Sequence, residues 1–159
     1  LNYADGFRAT DTFNVNTLPF ATEAAWSTGK WSHLERILGS FQGSINIIPD
    51  FNVGVGRALL ALRAKNTDKF KEIIESLRAA VAKDLSPTAT SSVHACHDAL
   101  VKLHVLYEME TISGTSIPSP VDKGLLIQKL DQRLDVLGAY TSDKQYLLGI
   151  RRAVMQLSK

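Results

Sequence analysis

Five prolines, at positions 19, 49, 87, 118 and 120, punctuate this chain, and the long stretches between them contain none. Proline inside a helix removes a backbone donor and clashes with the preceding turn, but it is tolerated in a first turn or a connection. The spacing predicts helices separated by joints, and the apolar periodicity agrees. Across Asn66–Leu85, Phe70, Ile73, Ile74, Leu77 and Val81 recur at steps of three and four, which places them on one helical face. Lys69, Lys71, Glu72, Glu75 and Arg78 fill the solvated side, and Thr67 or Asn66 can cap the start. The preceding segment, Phe51–Lys65, carries Val55, Ala58, Leu59 and Leu62 on one stripe and reads as its antiparallel partner.

The longest helix is expected from about Thr90 to Ile112. Val93, Cys96 or His97, Leu100, Leu103 and Tyr107 mark one stripe, which Val101, Val105 and Leu106 broaden. A helix apolar over so much of its circumference is normally buried on several sides. A Gly/Ser/Pro loop follows over 113–120. Asp122–Leu137 then repeats apolar residues at 126, 130, 134 and 137, with Asp122 as cap and Gly138 as stop. Thr141 or Ser142 opens a last helix through Leu157, with Leu147, Ile150, Val154 and Leu157 facing inward. Ser44–Ile48 alternates like a strand, but Pro49 ends it and no second strand is available to pair with it, so it reads as an extended linker. The expected fold is all-α, with about seven helices.

Composition narrows the class further. The 159 residues suit one domain or a short stack of repeats, and 45% hydrophobic against 21% charged residues is enough for a core. Lys+Arg 18 against Asp+Glu 16 leaves a net charge of +2, which excludes a polybasic tail or an acidic disordered segment. A single cysteine, Cys96, excludes an internal disulfide framework and a multi-cysteine zinc site, and fits a reducing compartment. No apolar run approaches the roughly 18 residues of a membrane span, and the first 17 residues lack a basic start followed by an apolar stretch. A start at Leu1 in place of Met reads as a processed chain or, more naturally, a segment of something longer.

The helices themselves repeat. Ala24-Ala25-Trp26-Ser27-Thr28-Gly29-Lys30-Trp31-Ser32-His33-Leu34 closes one helix with small residues, turns at a glycine and opens the next with an aromatic. Such is the grammar of a tetratricopeptide-like hairpin. Ala64-Lys65-Asn66-Thr67-Asp68-Lys69-Phe70 is a looser copy, pairing Trp31 with Phe70, Leu34 with Ile73 and Leu38 with Leu77 at an offset of 39. Each unit of an α-solenoid needs neighbours to bury its face. The expected hairpins cover about 18–39, 51–85 and 90–137, followed by a last helix at 141–158.

Candidate chemistry is sparse. Gly54-Val55-Gly56 resembles a phosphate loop, but the fingerprint needs a strand before it and a small third residue, and Leu59 stands there. The two glycines read instead as a close-packing site for a neighbouring helix. His94, His97, His104 and Glu108 fall at helical spacing, and two His with a carboxylate can hold zinc. His-Glu-x-x-His is missing, however, and a buried histidine usually donates to a backbone carbonyl. Cys96 beside His97 points about 100° away from it and reads as a buried structural residue. Arg151, Arg152, Lys144 and Lys159 make the last helix basic, but without a sustained patch or interleaved aromatics they read as a solvated face, and no direct nucleic-acid binding is expected. No catalytic, cofactor or metal residue is assigned.

Assembled, these features resemble a known family. Ala24-Ala25-Trp26-Ser27-Thr28-Gly29-Lys30-Trp31-Ser32-His33-Leu34-Glu35 is similar to the AAW-x-x-G-x-W-x-x-L-E hairpin of the FAT domain of phosphatidylinositol-kinase-related protein kinases. Gly56–Leu60, Phe70–Arg78, Leu85-Ser86 and Leu100–Glu110 follow in the same order, with Leu103-His104 the most specific part. Arg151-Arg152-Ala153-Val154-Met155-Gln156-Leu157 resembles a motif of the ATR-type checkpoint kinases. The resemblance covers roughly residues 18–158, and residues 1–17 match poorly. It implies a non-catalytic scaffold segment of a very large nuclear serine/threonine kinase that senses replication stress and DNA damage.

By the same resemblance, the partners are the kinase domain and neighbouring helical repeats of the same chain, a second copy in homodimer contacts, and an ATRIP-type regulatory subunit. No nucleic acid or membrane is among them. The catalytic elements that use ATP and Mg belong to a C-terminal kinase domain outside these residues. Trp26, Trp31, Leu34, Phe70, Leu77, Leu103 and His104 are the expected structural anchors. Two rival readings differ in class. A small helical metalloenzyme would use His94, His97, His104 and Glu108, and a stand-alone helical-repeat adaptor would bind a protein or peptide partner on its concave face.

Overall fold

The computed structural model describes residues 17–40, 50–85, 92–114 and 123–158. They form seven helices, with no strand among the described residues: α1 Leu18–Ser27, α2 Trp31–Ser40, α3 Phe51–Arg63, α4 Thr67–Asp84, α5 Val93–Ser113, α6 Lys123–Asp135 and α7 Thr141–Leu157. The fold is all-α, of helical-repeat type. The expected linker at Ser44–Ile48, the cap at Asp122, the helix start at Thr90, most of the 113–120 loop, and residues 1–16 lie outside the described residues.

The helix starts follow local chemistry. Pro19 sits in the first turn of α1, where its missing N–H is no loss. Asp50 caps α3, its Oδ1 accepting from the backbone N–H of Asn52 at 2.8 Å and Val53 at 3.2 Å. Asn66, not Thr67, caps α4, its Oδ1 accepting from Lys69 N–H at 3.0 Å. Tyr140 occupies the cap position of α7 without a side-chain cap bond. Thr141, one of the two residues expected to open that helix, is its first residue, and its hydroxyl donates to the Ala139 carbonyl.

The chain divides into two compact units after Ile73, within α4. In the first, α1, α2 and α3 pack against one another, and α1–α3 is the broadest pairing. In the second, α5 packs against α7. In each unit, then, a helix packs most closely on the helix two places further along, as expected when hairpins stack.

The two hairpin turns are superimposable in their hydrogen bonding. Between α1 and α2, Thr28 N–H donates to Ala24 O, Gly29 to Trp26 O and Lys30 to Ala25 O at 2.9–3.3 Å. Between α3 and α4, Ala64 donates to Leu60 O, Lys65 to Leu62 O and Asn66 to Ala61 O, each at 3.0 Å. Each bond recurs 36 residues on, from Thr28 to Ala64 through Lys30 to Asn66, so the repeat is 36 residues and not 39. The offset of 39 came from matching aromatics. Trp31 is the first residue of α2, whereas Phe70 is the fourth of α4. In the true register Leu34 answers Phe70, Leu38 answers Ile74 and Ala25 answers Ala61, and all six are buried. The turn requires a left-handed residue, met by Gly29 at φ 70° and by Lys65 at φ 55°, the one described non-glycine residue with positive φ.

Candidate functional site

In the first unit, the Gly54-Val55-Gly56 segment lies inside α3 and is fully covered. A Cβ built on Gly56 would strike the Thr22 methyl of α1 and touch Leu34 and Leu38 of α2 at 3.4 Å. Glycine is thus required for the close approach of three helices, a packing role with no loop or free amides to hold a phosphate. Trp26, Leu34 and Phe70 are buried, whereas Trp31 is only half-buried at the start of α2. Arg63 of α3 pairs with Glu35 of α2 at 2.9 Å on the exposed side.

The second unit holds the molecule's most concentrated chemistry, and α5 organises it. The helix expected to be buried on several sides is largely open along the stripe first marked: Val93 is 88% exposed, Leu100 40% and Tyr107 39%, Cys96 is exposed, and Leu103 is half-buried. The covered side is Ala99, His104, Val105, Leu106, Glu108, Met109 and Thr111. Two apolar stripes compete along α5, and periodicity alone does not choose between them. The buried one carries a charge. Glu108 is 0% exposed and meets Arg151 of α7 in a two-pronged pair, with Nε donating to Oε2 and NH2 to Oε1, each at 2.9 Å. NH1 of the same guanidinium donates to Asp131 of α6 at 2.6 Å. Arg151 was expected on a solvated basic face, but its side chain is 8% exposed. Its hydrogen bonds to Glu108 hold its pKa above the ordinary value, against the opposing effect of burial.

His104 lies one turn before Glu108 on α5, buried, with Nδ1 finding no hydrogen-bond partner among the described residues. It does not make the expected bond to a carbonyl through that atom. Burial, and then the nearby positive charge of Arg133, push its pKa below the ordinary value. Arg133 of α6 in turn stacks on Tyr107, its guanidinium carbon 3.9 Å from the ring centroid. Towards the start of α5, His97 Nε2 lies 2.8 Å from Asp143 Oδ2 of α7, and its ring packs on Tyr140 at 4.1 Å between centroids. Near its end, Glu110 accepts a hydrogen bond from Arg78 of α4. Leu77 is buried on α4.

This geometry separates the four residues considered for zinc. His94 faces solvent, His97 is engaged with Asp143, and Glu108 is held by Arg151. No group of three or more His, Cys, Asp or Glu among the described residues is placed to hold a metal ion. Nor is the expected buried cysteine observed, because Cys96 is exposed. What the layer does chemically is join three helices. Glu108 of α5, Arg151 of α7 and Asp131 of α6 form one connected ionic set, flanked by the Arg133–Tyr107 stack. Sequence reasoning missed Arg151, Asp131 and Arg133. A signal for the first was present: Arg151 falls in the inward series Leu147, Ile150, Arg151 and Val154, and Glu108 sits among the apolar residues Val105, Leu106 and Met109. Two opposite charges inside two apolar stripes point to a buried pair.

No helix among the described residues is long and apolar enough to cross a membrane. No curated relative and no solved structure matches the chain. The sequence profile of the FAT domain matches residues 18–159, which takes in all seven helices. The chain therefore belongs to the FAT domain family, the non-catalytic helical segment of phosphatidylinositol-kinase-related kinases.

Proposed function

We propose that this FAT domain is a scaffold within a large serine/threonine kinase of the ATR type, acting in DNA-damage and replication-stress checkpoint signalling in the nucleus. The family match over residues 18–159 carries the reading. Its chemistry supports it: the buried charges, Glu108 and Arg151, are used on each other to join helices. The ATR-type assignment draws its support from the Arg151–Leu157 segment, whose first residue is that buried arginine. In this role the helices hold the geometry of a kinase domain elsewhere in the chain, which supplies ATP and Mg chemistry, and they meet a second copy and an ATRIP-type regulatory subunit.

The test is to isolate the intact parent protein from cells, with and without replication stress. The expected result is one long chain containing these residues and a kinase domain, accompanied by a regulatory subunit and transferring phosphate to serine or threonine peptides. A short stand-alone protein bound to a peptide or protein partner, without kinase activity, would overturn the proposal in favour of an adaptor.

A further inference from the structure

The helices of the second unit are not held equally. Along α5 and α7, Val105, Leu106, Met109, Leu147, Ile150 and Val154 are all fully buried. Within α6, by contrast, Leu130 is the one fully buried side chain among those described, joined by Leu137 in the turn that follows. Leu125 and Ile127 of the same helix remain 46% and 43% exposed. Thirteen residues are too few for a helix to persist alone in water, so α6 exists only while docked. Leu126 and Leu134 are half-buried beside those two leucines, and two polar contacts also dock the helix: Asp131 on Arg151, and Arg133 on Tyr107.

The ionic set is lopsided in the same sense. Glu108 is completely buried, whereas Asp131 is 58% exposed. Dissolved salt screens an exposed pair strongly and a buried one weakly. If Asp131 departs, Arg151 keeps both prongs on Glu108, and the α5–α7 connection stays satisfied. The Arg133–Tyr107 stack is partly exposed: the tyrosine is 39% exposed, whereas Arg133 is half-buried with its Nε covered. We propose that α6 is a detachable strap, which lifts as a unit from a still-folded α5–α7 pair and is released by ionic strength through its Asp131 and Arg133 tethers. Lifting uncovers the face of Tyr107 and the outer N–H of Arg151. The inference rests on burial and charge within this unit and is independent of the kinase reading.

Hydrogen exchange by mass spectrometry on the 159-residue chain tests it, comparing peptides within α6 with those of α5 from His104 onward and of α7. In the unaltered chain, α6 should exchange faster than the other two, and the gap should widen between low salt and about 1 M NaCl. Asp131→Asn should speed α6 exchange a further two- to five-fold, the usual weight of an exposed ion pair. Adding Arg133→Ala should bring the change to about tenfold, with α5 and α7 unmoved. Equal exchange of all three helices at every salt concentration, or acceleration of α5 and α7 together with α6 in Asp131→Asn, would show one cooperative block and overturn the proposal.

Discussion

Replacing Arg151 with Met leaves Glu108 with no partner in a site where no surface of the carboxylate reaches water. Met fills much of the space of the arginine stem, so the main loss is electrostatic. Two hydrogen bonds at 2.9 Å disappear, and a charge stays behind in a poorly polarisable surround. Breaking a buried pair from one side costs about 3–5 kcal/mol. The lost Asp131 arm adds only about 0.2–1 kcal/mol, because that carboxylate is largely solvated. For a chain of this size the sum corresponds to a fall in Tm of roughly 6–24 °C.

Removing both charges reverses the sign of the argument. Glu108→Met with Arg151→Met leaves no orphan, and buried pairs replaced by apolar residues of similar volume are often neutral or more stable by about 1–4 kcal/mol. Urea unfolding followed by far-UV circular dichroism gives all four corners of this double-mutant cycle. A single variant within about 1 kcal/mol of the parent sequence, or a double variant as unstable as the single, would refute the account of this layer.

Three further outcomes follow from the same structure. Gly56→Ala drives a methyl into Thr22, so it should destabilise by about 1–3 kcal/mol despite alanine's better helix propensity. Combining it with Thr22→Ala should recover most of that loss in a thermal melt, and no recovery would mean that the helices are not in contact there. Trp26→Ala should cost about 3–5 kcal/mol because the indole is buried, and Trp31→Ala markedly less because its indole is half-exposed; chemical denaturation of the two variants orders them. His104 binds its proton less readily when folded than when unfolded, since its pKa lies below the ordinary 6.5. Its contribution is therefore constant above about pH 6.5 and turns against the fold as pH falls from there to the folded pKa. His104→Leu should flatten that part of the stability–pH curve, whereas an unchanged slope would place the effect elsewhere.

Much of the architecture was legible because amphipathic helices announce themselves. Phe70, Ile74, Leu77 and Val81 on α4, and Leu147, Ile150 and Val154 on α7, are buried as their spacing implies. The turns were less legible. A left-handed lysine at position 65 carries no glycine signal, so the second hairpin was aligned on its aromatic and the repeat came out three residues too long. On α5 two apolar stripes lie side by side, and the buried one carries Glu108, whose partner is 43 residues away. Periodicity records which residues share a face of one helix but not what another helix brings to meet them. For that reason Arg151, read by itself as a surface cation, is the residue whose role changed most. Gly56 shows the opposite case, because small residues inside an otherwise bulky helix mark a close approach without any knowledge of the neighbour.

The central claim is that these residues act through the shape they hold and supply no reacting group. Phosphotransfer by the intact parent kinase, measured for Arg151→Met alone and together with Glu108→Met, tests it most directly. A scaffold predicts that kcat falls in the single variant and returns in the double one, in step with stability, although the arginine is still absent. Activity that stays lost in a stable double variant would mean that Arg151 itself takes part in the chemistry or its control, and would contradict the account.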